Sequence, residues 1–246
     1  MMNSESLNRR LDETIERGAD LKELDRDGYA LIHHAARLGE LAIIDRLLSH
    51  GVDVNMLDKW KRTALMLAAK KDKSHIVNKL IEVGADIKCA DQREMTALIY
   101  AARDGSLYVA TKLMEAGADV KCADQREMTA LMHAANSGNL DTITTLYFYG
   151  ANIDHADQQG ETALTYAAEK EELDVVMALI NVGADVNWVA KNGSTALIYA
   201  ASWGNLDIVT KLMEAGADIK CADKKGMTAL MHAARRGNLD IVTKLM

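Results

Sequence analysis

Seven histidines and three cysteines are the residues of this sequence best suited to metal binding, acid–base chemistry or nucleophilic chemistry. Only His33 and His34 are close in sequence, and adjacent residues on a helix point in different directions. One position that recurs through the chain carries either of two amphipathic residues: His34, Tyr100, His133, Tyr166, Tyr199 and His232. A position that accepts His or Tyr indicates a packed side chain with a polar tip rather than a metal ligand.

The cysteines Cys89, Cys122 and Cys221 each lie in the segment Lys-Cys-Ala-Asp. Packed helices are about 8–10 Å apart, whereas bonded cysteines need Cα atoms closer than about 7 Å. We therefore expect duplicated small side chains without a disulfide or a redox role. The sequence also lacks a Walker phosphate loop, a dinucleotide fingerprint, a Gly-x-Ser-x-Gly elbow and a His-Glu-x-x-His metal motif.

Carboxylates are plentiful, but their spacing follows a repeat. One set begins successive predicted turns: Asp25, Asp58, Asp91, Asp124, Asp157 and Asp223. A second set follows a recurring glycine by two positions: Asp20, Asp53, Asp86, Asp119, Asp185 and Asp218. Aspartate at such positions bonds to nearby backbone groups of a turn. The sequence therefore predicts structural carboxylates, and it predicts neither an enzyme, nor a cofactor, nor a metal site.

All 16 glycines fall on three positions of one 33-residue period. One of these positions is unbroken: Gly18, Gly51, Gly84, Gly117, Gly150, Gly183 and Gly216. Glycine is favoured where the backbone needs a positive φ or a close approach, so its confinement indicates one unit built repeatedly. A fixed period of this length is typical of a solenoid, in which each unit buries its apolar face against its neighbours.

The last two copies of the repeat show what each position does. Residues 223–226 form a polar turn, and Thr228 follows as a helix N-cap candidate. Residues 229–234 predict a short helix with a small-residue face, and residues 239–245 predict a second helix with apolar 3.6-residue spacing. In complete copies this second helix ends at a glycine such as Gly216, which predicts a left-handed C-cap.

This unit resembles the ankyrin repeat. The resemblance is carried by the segments Gly226-Met-Thr-Ala-Leu-Met-His-Ala-Ala234, Gly237-Asn-Leu-Asp-Ile-Val242 and Gly183-Ala-Asp-Val-Asn187. It implies an all-α solenoid of stacked antiparallel helix pairs with hairpin-like turns, forming one continuous domain. Its parts would be an N-terminal capping helix in 1–24 and seven repeats: 25–57, 58–90, 91–123, 124–156, 157–189, 190–222 and a truncated 223–246.

Five residues depart from the family's glycine pattern. Lys61, Glu94 and Glu127 replace the turn glycine in three successive repeats. Asp72 and Glu171 replace the glycine between the two helices. Because these backbone positions favour glycine, we expect the second and fifth repeats to be the least stable.

The charge distribution suggests where a partner binds. In ankyrin proteins, partners usually contact the turn tips and the outer end of the first helix, which line a concave groove. The matching positions are the two residues after the leading Asp, the residue before Thr and the two after Ala-Ala. These 35 positions hold 15 basic and 4 acidic residues, although the whole chain has a net charge of −7. A cleft lined by charges of one sign attracts ligands of the opposite charge, so we expect an acidic partner. The alternative is that these basic residues only form a solvated face.

Fourteen residues are the candidate partner-binding set. Trp and Arg dominate interface hot spots, and Met adds adaptable apolar contact. The segments 91–98 and 124–131 are identical, so the recurring methionines could also result from sequence duplication rather than from selection for binding. The set is Trp60, Arg62, Lys70, Lys71, Arg93, Met95, Arg103, Arg126, Met128, Trp203, Lys224, Lys225, Arg235 and Arg236.

Together these patterns predict a non-catalytic scaffold that binds an acidic, extended segment of another protein. A nucleic-acid or phosphorylated-ligand module ranks lower because the sequence has only scattered Tyr and Trp for stacking. A regulatory domain of a longer protein also stays open. No signal peptide or membrane-length apolar run is present, so we expect a cytoplasmic protein without a membrane partner, with export into a host cell left open. The last repeat stops inside a helix at Met246, which leaves two alternatives: a sequence cut from a longer protein, or an exposed apolar end capable of self-association.

Overall fold

The structure is a computed structural model that describes residues 3–246 in two compact units. Unit 1 is Met1–Gln125 and unit 2 is Arg126–Met246. Among its described residues unit 1 has these helices: α1 Ser4–Glu16, α2 Leu31–Leu38, α3 Leu41–Ser49, α4 Ala64–Lys70, α5 Ser74–Glu82, α6 Ala97–Asp104 and α7 Leu107–Glu115. Unit 2 has these: α8 Ala130–Asn136, α9 Leu140–Phe148, α10 Ala163–Glu169, α11 Leu173–Asn181, α12 Ala196–Trp203, α13 Leu206–Glu214, α14 Ala229–Arg236 and α15 Leu239–Leu245.

Helix pairs stack in sequence within each unit, which confirms the predicted all-α solenoid. In unit 1, α2 packs on α3 and α4, and α4 packs on α5 and α6. In unit 2, α10 packs on α8, α11 and α12, and α12 packs on α13 and α14. Extended pairing in residues 3–246 is limited to two isolated bridges, Ala90 with Thr96 and Ala222 with Thr228. None of these helices combines the length and apolar character that a bilayer crossing requires.

Each first helix except α2 begins with the predicted threonine cap. The hydroxyl of Thr96, for example, accepts the backbone N–H of Ile99 at 3.3 Å. Such a cap satisfies one of the four free N–H groups at the helix start and contributes about 1 kcal/mol. The six caps are Thr63, Thr96, Thr129, Thr162, Thr195 and Thr228.

Helix α2 begins differently, because Ala30 occupies the cap position. The backbone N–H of Ala30 donates instead to His33 Nδ1 at 3.1 Å. The other ring nitrogen of His33 lies 2.9 Å from the carbonyl oxygen of Met56. Since Nδ1 accepts and Nε2–H donates, the imidazole is neutral. Burial is the main cause that lowers the pKa of His33.

The two helices of a pair are buried to different degrees. In α4, residues 64–69 are all buried because neighbouring first helices cover both sides and α5 covers a third. In α5 the buried residues are Ile76, Val77 and Leu80, the stripe that faces α4. The first helices therefore form the core, and the surface they expose is their C-terminal end.

Five residues take up left-handed backbone where the repeat normally has glycine. Lys61, Glu94 and Glu127 have φ of 61°, 61° and 63° in the turns, and Asp72 and Glu171 have φ of 52° and 63° between helices. A side chain in this region costs about 1–2 kcal/mol, less for Asp, whose short polar side chain tolerates it. This strain supports the expectation of two weaker repeats, which stays a prediction.

Candidate functional site

The turn before each first helix is held by its leading aspartate. In unit 1, Asp58 Oδ1 accepts the backbone N–H groups of Trp60 at 2.8 Å and Arg62 at 2.9 Å. Asp91 Oδ1 accepts those of Arg93 at 2.7 Å and Met95 at 3.0 Å. The predicted structural role of these carboxylates is confirmed. The bonds fix residues 59–60 and 92–93 at the turn tips.

The second carboxylate oxygen binds the ring that lies nine residues further along. Tyr100 Oη donates to Asp91 Oδ2 at 2.6 Å, and Tyr166 Oη donates to Asp157 Oδ2 at 2.7 Å within unit 2. Burial, followed by the bond to Asp91, raises the pKa of the Tyr100 phenol. Two pairs with histidine have the same geometry: His34 with Asp25 at 2.7 Å, and His232 with Asp223 at 2.9 Å. In these four repeats the recurring position is a packed side chain that ties helix to turn, whereas Tyr199 donates to Glu161 because Ala190 replaces the leading aspartate.

Successive turns are also joined through their backbones. In unit 1 the N–H of Lys59 donates to Gly28 O at 3.1 Å, and that of Gln92 donates to Trp60 O at 3.0 Å. In unit 2 the N–H of Lys191 donates to the carbonyl oxygen of residue 159 at 2.9 Å. These bonds keep the tips in register, so side chains at equal repeat positions form a row.

Arg62 is a candidate whose side chain is occupied by structural contacts. Its guanidinium contacts Asp58 Oδ2 at 2.6 Å, donates to Tyr29 Oη at 3.0 Å and lies 4.2 Å from the Trp60 ring centre. Only 12% of its side chain is exposed, and Asp58 is fully buried. This repeat has Leu67 at the recurring His/Tyr position, and Asp58 Oδ2 bonds to Arg62 instead of to a ring. Burial opposes the charge, but the bond to Asp58 raises the pKa of Arg62.

Two further candidates are buried, contrary to the expectation that they offer apolar contact. Met95 in unit 1 is 4% exposed and Met128 in unit 2 is 3% exposed. The backbone of Met95 bonds to Asp91 through both its N–H and its carbonyl, which closes the turn and directs the residue inward. Met227, at the same position of the last repeat, is half-buried.

Three cations occupy one repeat position in unit 1. Arg37, Lys70 and Arg103 lie in the last turns of α2, α4 and α6, and we call them the cation row. The Arg37 guanidinium lies 4.9 Å from the ring centre of Tyr29, while Lys70 Nζ and the Arg103 guanidinium lie 5.3 and 5.0 Å from that of Tyr100. All three side chains are half-exposed.

The cation row places like charges close together. Burial, followed by the positive charges of Arg103 and Arg62, lowers the pKa of Lys70. Arg103 also bonds to Asp104 at 2.9 Å, which offsets part of its charge. A bound anion would relieve this repulsion, so the row favours negative ligands.

The other candidates of unit 1 are at the turn tips and beside the row. Lys71 and Arg93 are exposed, and Trp60 is half-buried against Tyr29, with ring centres 5.1 Å apart. Trp60 also lines a groove of about 940 Å³. Its lining combines basic and aromatic residues with three carboxylates: Arg10, Arg26, Tyr29, Arg37, Lys59 and Trp60, with Glu23, Asp25 and Asp27. The candidate set omitted Tyr29 and Arg37, although Tyr29 precedes Arg62 and Arg37 precedes Lys70 by one 33-residue period.

Unit 2 gathers a smaller basic surface. Trp203 is 53% exposed at the end of α12, and the Arg236 guanidinium lies 5.9 Å from its ring centre. A cavity of about 260 Å³ beside them is lined by Ser202, Trp203, His232, Arg235 and Arg236, among others. The candidates at turn tips, Arg126, Lys224 and Lys225, are exposed.

Unit 2 also exposes apolar side chains that the candidate set did not include. Phe148, the single phenylalanine of the chain, is 85% exposed at the end of α9 and contacts Tyr147. At Phe148's position the preceding repeat has Glu115, so a break in the repeat pattern was the available signal. Leu239 and Met246 are 75% and 92% exposed, and self-association through them stays a prediction.

The chemistry that these surfaces support is recognition. Within residues 3–246 no three His, Cys, Asp or Glu side chains are grouped to hold a metal ion. The cysteines are free thiols whose pKa values are raised, chiefly by burial. The row consists of cations, and the turn tips add exposed cations such as Lys59 and Arg93, all of which attract anions.

Comparison with known proteins identifies similar chains. The sequence matches the family model described as ankyrin repeats (3 copies) over residues 4–91, 32–124, 65–157, 131–223 and 188–246. A crystal structure of the human ASB11 ankyrin repeat domain is similar, with 25% sequence identity and a TM-score of 0.82. The match covers 89% of this chain and 98% of that one. A search of the curated proteins found no match.

Proposed function

Because this chain belongs to the ankyrin repeat family, whose fold generally serves protein–protein interaction, we propose that it is a non-catalytic scaffold for an acidic, extended protein segment. The segment would bind the surface formed by the turn tips and the C-terminal ends of the first helices. The observation that carries this proposal is the cation row, in which Lys70 has its pKa lowered by burial and by neighbouring positive charge. The predicted groove residues are contributors to this surface, with Arg62, Met95 and Met128 acting beneath it.

The charge balance supports an acidic partner. In the repeats of unit 1 the groove positions defined above hold eight basic and two acidic residues. Trp60 in unit 1 and Trp203 in unit 2 add aromatic surface beside the cations. Trp, Tyr and Arg are the residue types most enriched among interface hot spots.

A charge-reversal experiment tests the proposal. We would measure fluorescence anisotropy of a labelled Glu/Gly/Ser peptide with wild type and with the double variant Arg37→Glu, Lys70→Glu. The expected result is about tenfold weaker binding and a flatter salt dependence. The matched control is Lys211→Glu with Lys244→Glu, which changes the charge equally on α13 and α15. Equal loss in both variants, or no loss in either, would remove the first-helix surface from the account.

The same assay separates an acidic protein segment from nucleic acid. A duplex DNA probe that competes with the peptide and shows a slope near −0.9 per neutralised phosphate in log affinity against log salt would favour nucleic acid. We expect the peptide to bind more tightly than DNA at equal ionic strength. The reverse order would replace the proposed partner class.

A further inference from the structure

The cation row has a spacing that selects among acidic segments. Its members, Arg37, Lys70 and Arg103, are separated by one repeat each and lie on helices that pack directly against each other. Packed helices are about 8–10 Å apart, so the row presents one cation about every 8–10 Å. The contacts agree with this spacing. Lys70 Nζ lies 5.3 Å and the Arg103 guanidinium 5.0 Å from the Tyr100 ring centre, so the two charged groups cannot be further apart than the sum of these distances.

An extended peptide meets this spacing in one conformation better than in another. Polyproline II has three residues per turn and a rise of about 3.1 Å, so residues i, i+3 and i+6 share a face about 9 Å apart. In a β-strand, the side chains of residues i and i+2 share one face and are about 7 Å apart, and those of residues i and i+4 are about 13 Å apart. Only the threefold register matches all three cations.

We infer that the cation row of unit 1 recognises a segment in polyproline II conformation with a carboxylate at every third residue. The inference rests on the proposed function and names its ligand more closely. Arg37 and Arg103 bind the outer carboxylates and Lys70 binds the central one. The rings of Tyr29 and Tyr100 hold the cations in place from below.

Unit 2 does not repeat this row. At the same position its first helices carry Asn136, Glu169, Ser202 and Arg235. Selection for the threefold register is therefore expected from unit 1, and substitutions in unit 2 are expected to leave it unchanged.

The test uses the full chain and two peptides of equal composition. One has four Glu-Pro-Ala repeats, and the other has four Glu-Pro repeats followed by four alanines, so that both favour polyproline II but only the first has threefold spacing. Wild type is expected to bind the threefold peptide about fivefold more tightly, since exposed ion pairs contribute modestly. Lys70→Gln should abolish that preference, whereas Lys112→Gln on α7 should keep it.

The outcomes separate this inference from the proposed function. Equal binding of both peptides by wild type overturns the threefold register but leaves an acidic-segment scaffold intact. A preference that persists in Lys70→Gln overturns the role of the row. Failure of both acidic peptides to bind better than a Lys-Pro-Ala control contradicts the proposed function itself. Circular dichroism of each variant establishes that the helices are retained.

Discussion

Replacement of Arg62 by methionine separates a structural role from a binding role. The change removes the contact to Asp58 Oδ2 at 2.6 Å, the bond to Tyr29 at 3.0 Å and the stacking on Trp60 at 4.2 Å. Asp58 Oδ1 keeps its backbone donors, but Oδ2 is left without a cation.

The magnitude follows from burial. The Asp58 side chain is 0% exposed and that of Arg62 is 12% exposed, so solvent replaces little of the lost interaction. Removal of one partner of a buried ion pair costs about 3–5 kcal/mol. The lost cation–π contact lies within that figure, and methionine retains part of the apolar packing.

The assay is urea unfolding followed by Trp60 fluorescence and by far-ultraviolet circular dichroism. Trp60 is the tryptophan of unit 1, whereas Trp188 and Trp203 are in unit 2. Because repeat proteins can unfold in stages, the unit 1 transition is analysed separately. A loss below about 1 kcal/mol would mean that the Arg62–Asp58 pair behaves as a solvent-exposed ion pair, since exposed pairs contribute that little.

A rescue variant sharpens the result. Leu67 stands where Tyr100 donates to Asp91 at 2.6 Å in the next repeat. Leu67→Tyr combined with Arg62→Met should therefore restore a donor to Asp58 and recover about half of the lost stability. No recovery would mean that the carboxylate is not the source of the loss.

Three further predictions concern stability. Glu171→Gly should raise the unfolding free energy by about 0.5–1 kcal/mol, because glycine adopts the left-handed conformation without strain. Asp72→Gly should raise it by less, because Asp tolerates that conformation better than Glu does. The urea midpoints of both variants measure these changes. The pKa of His33 is lower in the folded state than in the unfolded state, so the unfolded state takes up the proton at a higher pH. The contribution of neutral His33 to stability is therefore fully present above pH 6.5 and is lost as the pH falls below that value. His33→Gln should reduce that slope in thermal melts between pH 5 and 7. Phe148→Ser should change the unfolding free energy by less than about 0.5 kcal/mol, since the ring is 85% exposed.

Each of these predictions has a contradicting result. A lower urea midpoint for Glu171→Gly would show that its side chain stabilises the loop. An unchanged pH slope in His33→Gln would assign the titration to another histidine. A large loss in Phe148→Ser would mean that the ring packs in solution.

The repeat, the helix pairs and the threonine caps could be predicted from sequence because each depends on local residue preference. Thr96 caps a helix and Asp91 holds a turn through bonds that span three or four residues. The prediction that Tyr100 is a packed side chain with a polar tip is confirmed for the same reason, since its hydroxyl donates to an aspartate only nine residues away.

The surface was harder to predict because exposure depends on neighbouring repeats. Met95 and Arg62 occupy the same repeat position, yet one is buried by its turn and the other by an aspartate that lacks a tyrosine partner. That difference depends on Leu67, a residue outside the groove pattern. The helix ends and turn tips therefore stay a predicted binding surface, while the expected accessibility of Arg62, Met95 and Met128 was wrong.

An amide NMR titration of the full chain with the Glu-Pro-Ala peptide would locate the surface that binds the acidic segment. We expect the largest shift changes at residues 37–38, 70–71 and 103–104, where the first helices of unit 1 end. Dominant changes at residues 49–51, 82–84 and 115–117, where the second helices end, would contradict this expectation.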